Sequence, residues 1–289
     1  MLKKALIIAG PTASGKSEFA HKIAKSIGGT IINADSVQIY RGIENISASP
    51  FANCEPSRVI DGVPYRLFSI KDLSEQITVA EYLSMARAEY DVAEIPIFVG
   101  GSGYYLDAII NGMSPIPEIS EENRMRARKM ISETPDAAKQ LTDYEFTDPQ
   151  RMSRALEVFL ETGRPISEWQ ALPRVGGIDP TPCRILVMPP KDVLATRIRS
   201  RLKVMLDNGG LDEVKNHIDF QTRAIGIDEI GKYLRGEISM DDSIENWAKR
   251  TEQYAKRQRT WFKNKYGADV TIYHVPTDAD VQSIVKQEQ

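Results

Sequence analysis

A glycine-rich segment near the start of the chain has the residue types and spacing of a phosphate-binding loop. It follows the apolar run 5–9 and leads into a helix-like segment, 18–27. Glycines let consecutive N–H groups point into one concavity, and a helix N-terminus and a lysine add positive charge. A serine hydroxyl at the last position is suited to ligate Mg²⁺. The segment predicts a diphosphate or triphosphate site made of Gly10, Pro11, Thr12, Ala13, Ser14, Gly15, Lys16 and Ser17.

Two other segments follow β-branched runs and so belong at the same edge of a parallel sheet. Asp35 follows the run 30–32, and a glycine motif containing Ser102 follows the run 95–99. The carboxyl ends of the strands in an open parallel sheet line the ligand crevice. The Asp35 carboxylate is therefore a candidate to ligate a metal, to take a proton from a nucleophile or to cap the next turn. No aspartate follows the second run, which disfavours a motor-type NTPase with its metal-holding Walker B residue.

The elements that must position these residues alternate between strands and helices. Segments of helical periodicity separate β-branched runs at 5–9, 30–32, 95–99, 184–187 and 270–273. This pattern predicts an α/β fold, a P-loop NTPase-like parallel sheet with helices on both faces. The stretch 116–177 is strand-poor, charged and helical in pattern. We interpret it as a helical insertion domain, set into a catalytic core formed by 1–115 and 178–289.

Composition narrows the class of protein. The chain has 289 residues with only two cysteines and three histidines, which disfavours a disulfide framework, a histidine zinc site and a histidine-based catalytic triad. No segment has the apolar length that a bilayer span requires. We expect a monomeric enzyme of a reducing compartment, the cytoplasm, with no membrane partner.

Positive charge is concentrated locally although the formal net charge is −3. Seven lysines and arginines lie between Lys249 and Lys265, where Glu252 is the only acidic residue, and a second cluster spans 124–129. The segment 241–266 is predicted to be one long helix that packs through Trp247, Tyr254 and Trp261. Basic patches of this kind predict contacts with nucleic-acid phosphates despite the overall negative charge.

Several longer motifs occur in a characteristic order along nearly the whole chain. They are 10–17, Asp35-Ser36-x-Gln38-Ile39-Tyr40-Arg41-Gly42, 100–106, 148–158, Thr162-Gly163, Ala224-Ile225-Gly226 and 254–261. Together these motifs resemble those of the tRNA dimethylallyltransferases, the bacterial tRNA isopentenyltransferase family. Each later motif is more specific than the phosphate loop alone.

The resemblance implies a reaction and its catalytic residues. Family members transfer a dimethylallyl group from dimethylallyl diphosphate to N6 of the adenine at position 37 beside the tRNA anticodon, giving N6-dimethylallyladenosine and diphosphate. Lys16, Arg223 and Mg²⁺ on Ser17 would stabilise the leaving diphosphate. Asp35 corresponds to the base that removes the N6 proton, and Ser102 lines the reaction channel.

The same resemblance implies that the helical insertion binds tRNA. It also implies which residues contact the anticodon stem-loop, where the adenine must be unstacked to enter the site. They are Asp35, Ser36, Val37, Gln38, Ser102, Arg124 (with Arg126 as an alternative alignment), Gln150, Arg151, Met152, Ser153 and Arg154. The chain departs from the family pattern at several positions, which bear on the tRNA contacts more than on the chemistry. These positions are Ser47-Ala48-Ser49-Pro50, Tyr65-Arg66, Ser102, Gly226-Ile227-Asp228-Glu229 and Thr251-Glu252.

Three other functions compete with this interpretation. A small-molecule kinase would bind ATP at the same loop, but it would leave the basic helix unexplained. An enzyme that prenylates free adenine nucleotides would not need the helical insertion. A nucleic-acid-binding regulator with a vestigial loop is disfavoured because Lys16, Ser17 and Asp35 are all present.

Overall fold

The computed structural model describes residues 5–52, 58–134, 136, 140–142, 148–178, 183–218 and 224–288. Within them a seven-stranded sheet has the order β3-β4-β2-β5-β1-β6-β7. The strands are β1 Leu6–Ala9, β2 Thr30–Asn33, β3 Val59–Ile60, β4 Val63–Arg66, β5 Pro96–Gly100, β6 Cys183–Val187 and β7 Val270–Ile272. Every pairing is parallel except that of β3 with β4, so the predicted parallel α/β sheet is confirmed.

The hairpin β3–β4 is an element that the sequence did not predict. Its turn is formed by Asp61 and Gly62, whose φ angles of 49° and 82° are the left-handed values of a two-residue hairpin. β3 has two residues and lies at the sheet edge, with Val59 48% exposed. A strand that is so short and so exposed leaves no apolar run in the sequence.

Helices connect the strands, and alternate strand residues contact two separate cores. Leu6 and Ile8 pack in one core with Phe19, whereas Ile7 packs in the other with Tyr82. Because successive strand side chains point to opposite faces, helices cover both faces of the sheet. The helices are α1 Lys16–Ile27, α2 Val79–Val92, α3 Gly103–Asn111, α4 Glu121–Glu133, α5 Pro149–Thr162, α6 Ile166–Gln170, α7 Lys191–Met205, α8 Leu211–His217, α9 Ile227–Leu234, α10 Met240–Trp261 and α11 Asp278–Glu288.

The chain divides into two compact units. One comprises Met1–Ile110 with Ile178–Gln289, and the other is Asn111–Gly177. In the second unit Ser120 caps α4 by accepting from the Asn123 N–H at 3.3 Å. Asp148 caps α5 by accepting from the N–H groups of Gln150 and Arg151 at 2.9 and 3.0 Å. These caps satisfy N–H groups that the first turn of a helix leaves unpaired.

The long C-terminal helix is α10, which continues into a π-helical turn, Phe262–Tyr266. Trp247 is 1% exposed and packs in a third core, so its predicted packing role is confirmed. Trp261 lies against Gly103, where a Cβ atom would come within 2.5 Å of the indole ring. Across the described part of the chain, none of the helices combines the length and apolarity needed to cross a membrane.

Candidate active site

The phosphate loop, Asp35 and Ser102 meet at one edge of the sheet. Ala9 of β1 pairs with Gly100 of β5, and Asn33 of β2 pairs with Val99. These three strands are parallel, so their carboxyl ends reach the same edge and each is followed by one of the predicted segments. Ser102 makes the link direct because its Oγ accepts from the Ser36 N–H at 2.8 Å.

The loop has the curled backbone that an anion cradle requires. Ala13 and Gly15 have φ angles of 62° and 92°, and the Ser14 N–H donates to the Pro11 carbonyl at 3.2 Å. Gly10 is needed for a different reason, since a Cβ atom there would lie 2.4 Å from the Val187 carbonyl oxygen of β6. The close approach to β6 thus explains the glycine at position 10, and the left-handed turn explains the glycine at position 15.

Lys16 begins α1 and is the buried cation of the cradle. Its side chain is 9% exposed, and its Nζ donates to the Pro11 carbonyl at 3.3 Å. Burial lowers the pKa of Lys16 to about 8, with the negative charge of Asp35 opposing this shift and the positive charge of Arg201 adding to it. An ammonium held with so little solvation gains strongly from a bound anion.

Asp35 is half-buried, and of the three roles considered from the sequence the structure shows directly the capping of the next turn. Its Oδ1 accepts from the Val37 N–H at 3.0 Å, so it does form a local turn. The Asn33 Oδ1 in turn accepts from the Asp35 N–H at 2.8 Å. Within the described residues the second carboxylate oxygen, Oδ2, has no hydrogen bond. Asp35 is thus held rigidly by one side while keeping an oxygen free to accept a proton.

A group of hydroxyls lies beside this carboxylate. The Ser102 Oγ donates to the Ser36 Oγ at 3.0 Å, and the Tyr254 hydroxyl of α10 is within hydrogen-bonding reach of Ser102 and Gln258. Burial raises the pKa of Tyr254, as does the negative charge of Asp35, so the phenol stays protonated. These contacts place Ser36 and Ser102 in the same site as Asp35.

Helix α10 also contacts the phosphate loop through Gln258, which sequence reasoning missed. The Gln258 Oε1 accepts from the Thr12 N–H, and its Nε2 donates to the Gly101 carbonyl, both at 2.8 Å. Gln258 is 5% exposed, so both contacts are buried. Its sequence signals are its place in the motif 254–261 and its position, as a polar residue, on the face of α10 that carries the packing tryptophans.

Two arginines of α7 approach the same loop and were also missed. The Arg197 Nε donates to the Ala13 carbonyl at 2.8 Å, and the Arg201 Nη2 donates to the Thr12 hydroxyl. α7 carries several basic residues, and nothing in their spacing distinguishes Arg201 from the exposed Lys203. Only the packing of α7 shows which of them reach the loop.

The remaining predicted residues near Asp35 have varied surroundings. Gln38 donates from its Nε2 to the carbonyls of Ser47 and Ala48 at 3.1 and 2.8 Å, so its amide supports the following loop. Val37 is half-buried and contributes to the third core. Arg223 lies outside the described residues.

In the insertion the predicted tRNA contacts differ in exposure. Gln150 and Arg151 are exposed in the first turn of α5. Arg124 and Arg154 form intrahelical ion pairs with Glu121 and Glu157 at 3.4 and 3.3 Å. The Ser153 hydroxyl donates to Glu157 at 3.1 Å, whereas Met152 is 9% exposed. Met152 lies on the buried face of α5 together with Ala155 and Leu156, and its contact with tRNA stays a prediction.

The basic segment 249–265 is less free than its sequence suggested. Lys249 pairs with Glu245 at 3.5 Å, and Arg250 pairs with Glu229, which is 3% exposed, and with Asp228 at 3.4 Å. Glu252 is the only acidic residue within the segment, but it pairs with Arg199 at 3.3 Å, and the carboxylates that pair with Lys249 and Arg250 lie outside the segment. Four exposed cations have no ion pair among the described residues: Lys256, Arg257, Lys263 and Lys265.

The fold and loop geometry define a P-loop α/β protein whose anion cradle faces a carboxylate. The chain belongs to the IPP transferase family, whose model matches residues 38–265, and a model described as isopentenyl transferase matches residues 3–56.

Individual relatives agree with this assignment. The chain is 38% identical to a tRNA dimethylallyltransferase of Chelativorans sp. (strain BNC1), over 93% of this chain and 98% of that protein. It is 37% identical to a tRNA dimethylallyltransferase of Acidiphilium cryptum, over 93% of this chain and 86% of that protein. Among solved structures, the full-length tRNA isopentenylpyrophosphate transferase of Bacillus halodurans superposes with a TM-score of 0.68 at 28% identity, covering 99% of this chain and 95% of that one.

Proposed function

We propose that this protein transfers a dimethylallyl group from dimethylallyl diphosphate to N6 of adenine 37, beside the anticodon of tRNA. The observation that carries the proposal is the meeting of an anion cradle with a carboxylate that has a free oxygen. The cradle is suited to bind the diphosphate leaving group, and the carboxylate is suited to accept a proton from the N6 nucleophile. The names of the relatives, which are tRNA dimethylallyltransferases, support tRNA as the acceptor.

The transfer step follows from these groups. The bond between C1 of the dimethylallyl group and the diphosphate oxygen breaks, and its electron pair stays on the diphosphate. The N6 lone pair forms the new bond to C1, and the N6 proton passes to the free oxygen of Asp35. Lys16 and the loop N–H groups stabilise the charge that grows on the diphosphate. N6 is a weak nucleophile because its lone pair is delocalised into the ring. Removal of its proton by a base as the new bond forms therefore speeds the transfer.

Mg²⁺ fits this site as a partner of the diphosphate. Ser17 is exposed at the N-terminal turn of α1, and its hydroxyl is an oxygen ligand of the kind that Mg²⁺ accepts. In the described parts of the chain no three His, Cys, Asp or Glu side chains converge as a metal site. Ser17 would therefore hold the ion together with diphosphate oxygens and water, and the ion would add positive charge at the leaving group.

A single incubation tests the proposal. The purified protein is given dimethylallyl diphosphate labelled in the prenyl group, with total tRNA, with AMP or with neither. We expect label in tRNA alone, on the adenine at position 37 after nuclease digestion. Label in AMP would favour a nucleotide prenyltransferase. Phosphoryl transfer from ATP without any prenyl transfer would favour a small-molecule kinase.

Neutralising Lys256 and Arg257 together should weaken binding of every tRNA to a similar extent. Both side chains are exposed on α10, and long basic side chains of this kind bind phosphates and not base edges. The slope of log K against log salt should become shallower by about 0.7–0.9 for each tRNA phosphate that is no longer neutralised. Filter binding at a series of salt concentrations measures this slope.

Lys25 and Lys286 provide the matched control, since they lie in the last turns of α1 and α11 and are exposed. The double substitution of Lys25 and Lys286 by glutamine should leave the salt slope unchanged. An unchanged slope in the Lys256 and Arg257 variant would instead make α10 a structural support with solvated charges.

A further inference from the structure

Arg201 is a half-buried cation beside the phosphate loop that the proposed transfer step does not use. Its Nη2 donates to the Thr12 hydroxyl, and its Nε is buried without a hydrogen-bond partner among the described residues. A guanidinium carries five N–H donors, so most of its hydrogen-bonding capacity is unused. Burial of this kind is costly for a cation unless an anion completes the site.

The charges around Arg201 leave an excess of positive charge beside the loop. Arg201 forms no ion pair with a carboxylate in the described part of the chain. Burial lowers the pKa of Arg201 to about 10, Arg197 adds to this shift, and Asp35 opposes it. Arg201 also acts electrostatically on Lys16 across the loop. Lys16, Arg197 and Arg201 thus flank the loop, and the single charge of Asp35 does not neutralise all three cations.

The packing of α7 holds Arg201 in this position. Ile198 and Leu202, the residues on either side of it along the inward face of α7, are each 1% exposed and belong to the third core. Residues at 197 and 201 are one turn apart and so share a face, which is the face toward the loop. The packing of these neighbours therefore fixes the direction in which α7 presents Arg201 to the loop.

We propose that Arg201 binds the diphosphate directly and stabilises it as the leaving group, opposite Lys16. This inference rests on the proposed function for its catalytic part. As the C1–O bond breaks, the electron pair remains on the diphosphate, and paired guanidinium donors grip oxygens whose charge is growing. The Thr12 hydroxyl orients the guanidinium until the anion arrives.

The competing role is a brace, in which Arg201 acts only by holding Thr12. A double-mutant cycle separates the two roles. Isothermal titration with inorganic pyrophosphate compares the wild type with Arg201→Gln, Thr12→Val and the double variant. Direct binding predicts that Arg201→Gln weakens the affinity roughly tenfold to a hundredfold in both backgrounds. A brace predicts that the loss disappears once Thr12 is Val.

Two further variants keep the test decisive. Lys203→Gln removes a charge from an exposed position of the same helix and should bind pyrophosphate like the wild type. Arg201→Lys keeps the charge without paired donors and should fall between wild type and Arg201→Gln, which gives a result even if the glutamine variant does not fold. Pyrophosphate affinity within twofold of wild type in both Arg201 variants would overturn the proposal.

The catalytic part has its own measurement. Single-turnover transfer by Arg201→Lys should be slower at saturating dimethylallyl diphosphate, while the affinity for tRNA stays the same. Loss of pyrophosphate binding in a protein whose wild type transfers no prenyl group would leave Arg201 as an anion ligand and refute the proposed reaction. An unchanged single-turnover rate would refute its leaving-group role.

Discussion

Replacing Asp35 with asparagine should slow the transfer step in a single turnover by roughly 10²–10⁴-fold, the usual contribution of a positioned general base. Asparagine keeps the size of the side chain and its Oδ1, which accepts from the Val37 N–H at 3.0 Å in the wild type. The local turn should therefore survive. The free oxygen becomes an amide nitrogen, which cannot take the N6 proton.

The measurement is rapid-quench transfer with saturating labelled donor and tRNA. Binding of tRNA to the Asp35→Asn variant should change much less than the rate. Asp278→Asn is a suitable control, because Asp278 is an exposed carboxylate paired with Lys22 at 2.8 Å. A near-normal rate for Asp35→Asn would mean that Asp35 only positions the base or the metal.

The Lys16→Ala variant should lose transfer almost completely while remaining folded. Loss of one charge-assisted hydrogen bond costs roughly 1.5–3 kcal/mol of diphosphate binding. The cost is greater in the transition state, where charge on the diphosphate is larger. Removing a buried cation should not destabilise the free protein, so thermal unfolding without ligand should occur at or above the wild-type temperature. Retained transfer by a folded Lys16→Ala protein would contradict the role of the cradle.

Lys16 also predicts a pH dependence of pyrophosphate binding. Its pKa of about 8 in the free protein is below the ordinary value, and a bound anion favours the charged form. Binding above pH 8 must then take up a proton, so the affinity should fall by up to tenfold for each pH unit above about 8. Titration with EDTA present removes any contribution of a metal. The Lys16→Ala variant, measured at higher ligand concentration, should show only the titration of pyrophosphate itself.

Local sequence determined the parts of this protein whose geometry depends on neighbours along the chain. The phosphate loop follows from glycines at fixed offsets between a strand and a helix, and the caps Ser120 and Asp148 follow from single residues at helix starts. Parallel strands then place Asp35 and Ser102 beside the loop, because the carboxyl ends of such strands share an edge. The substrates, dimethylallyl diphosphate and tRNA, were implied by the resemblance of the later motifs to one family.

Tertiary structure alone decided which polar residues complete the site. Gln258 is 246 residues from Thr12 along the chain, and its two buried hydrogen bonds exist only because α10 packs across the sheet edge. In the sequence Arg201 does not differ from its basic neighbours on α7. Its side chain reaches the loop because Ile198 and Leu202 of the same helix pack in the third core. The pairing of Arg250 with the buried Glu229 likewise removes a charge that the sequence left free. Charge and hydrogen-bonding type are local properties, whereas burial and partner depend on contacts between segments distant in sequence.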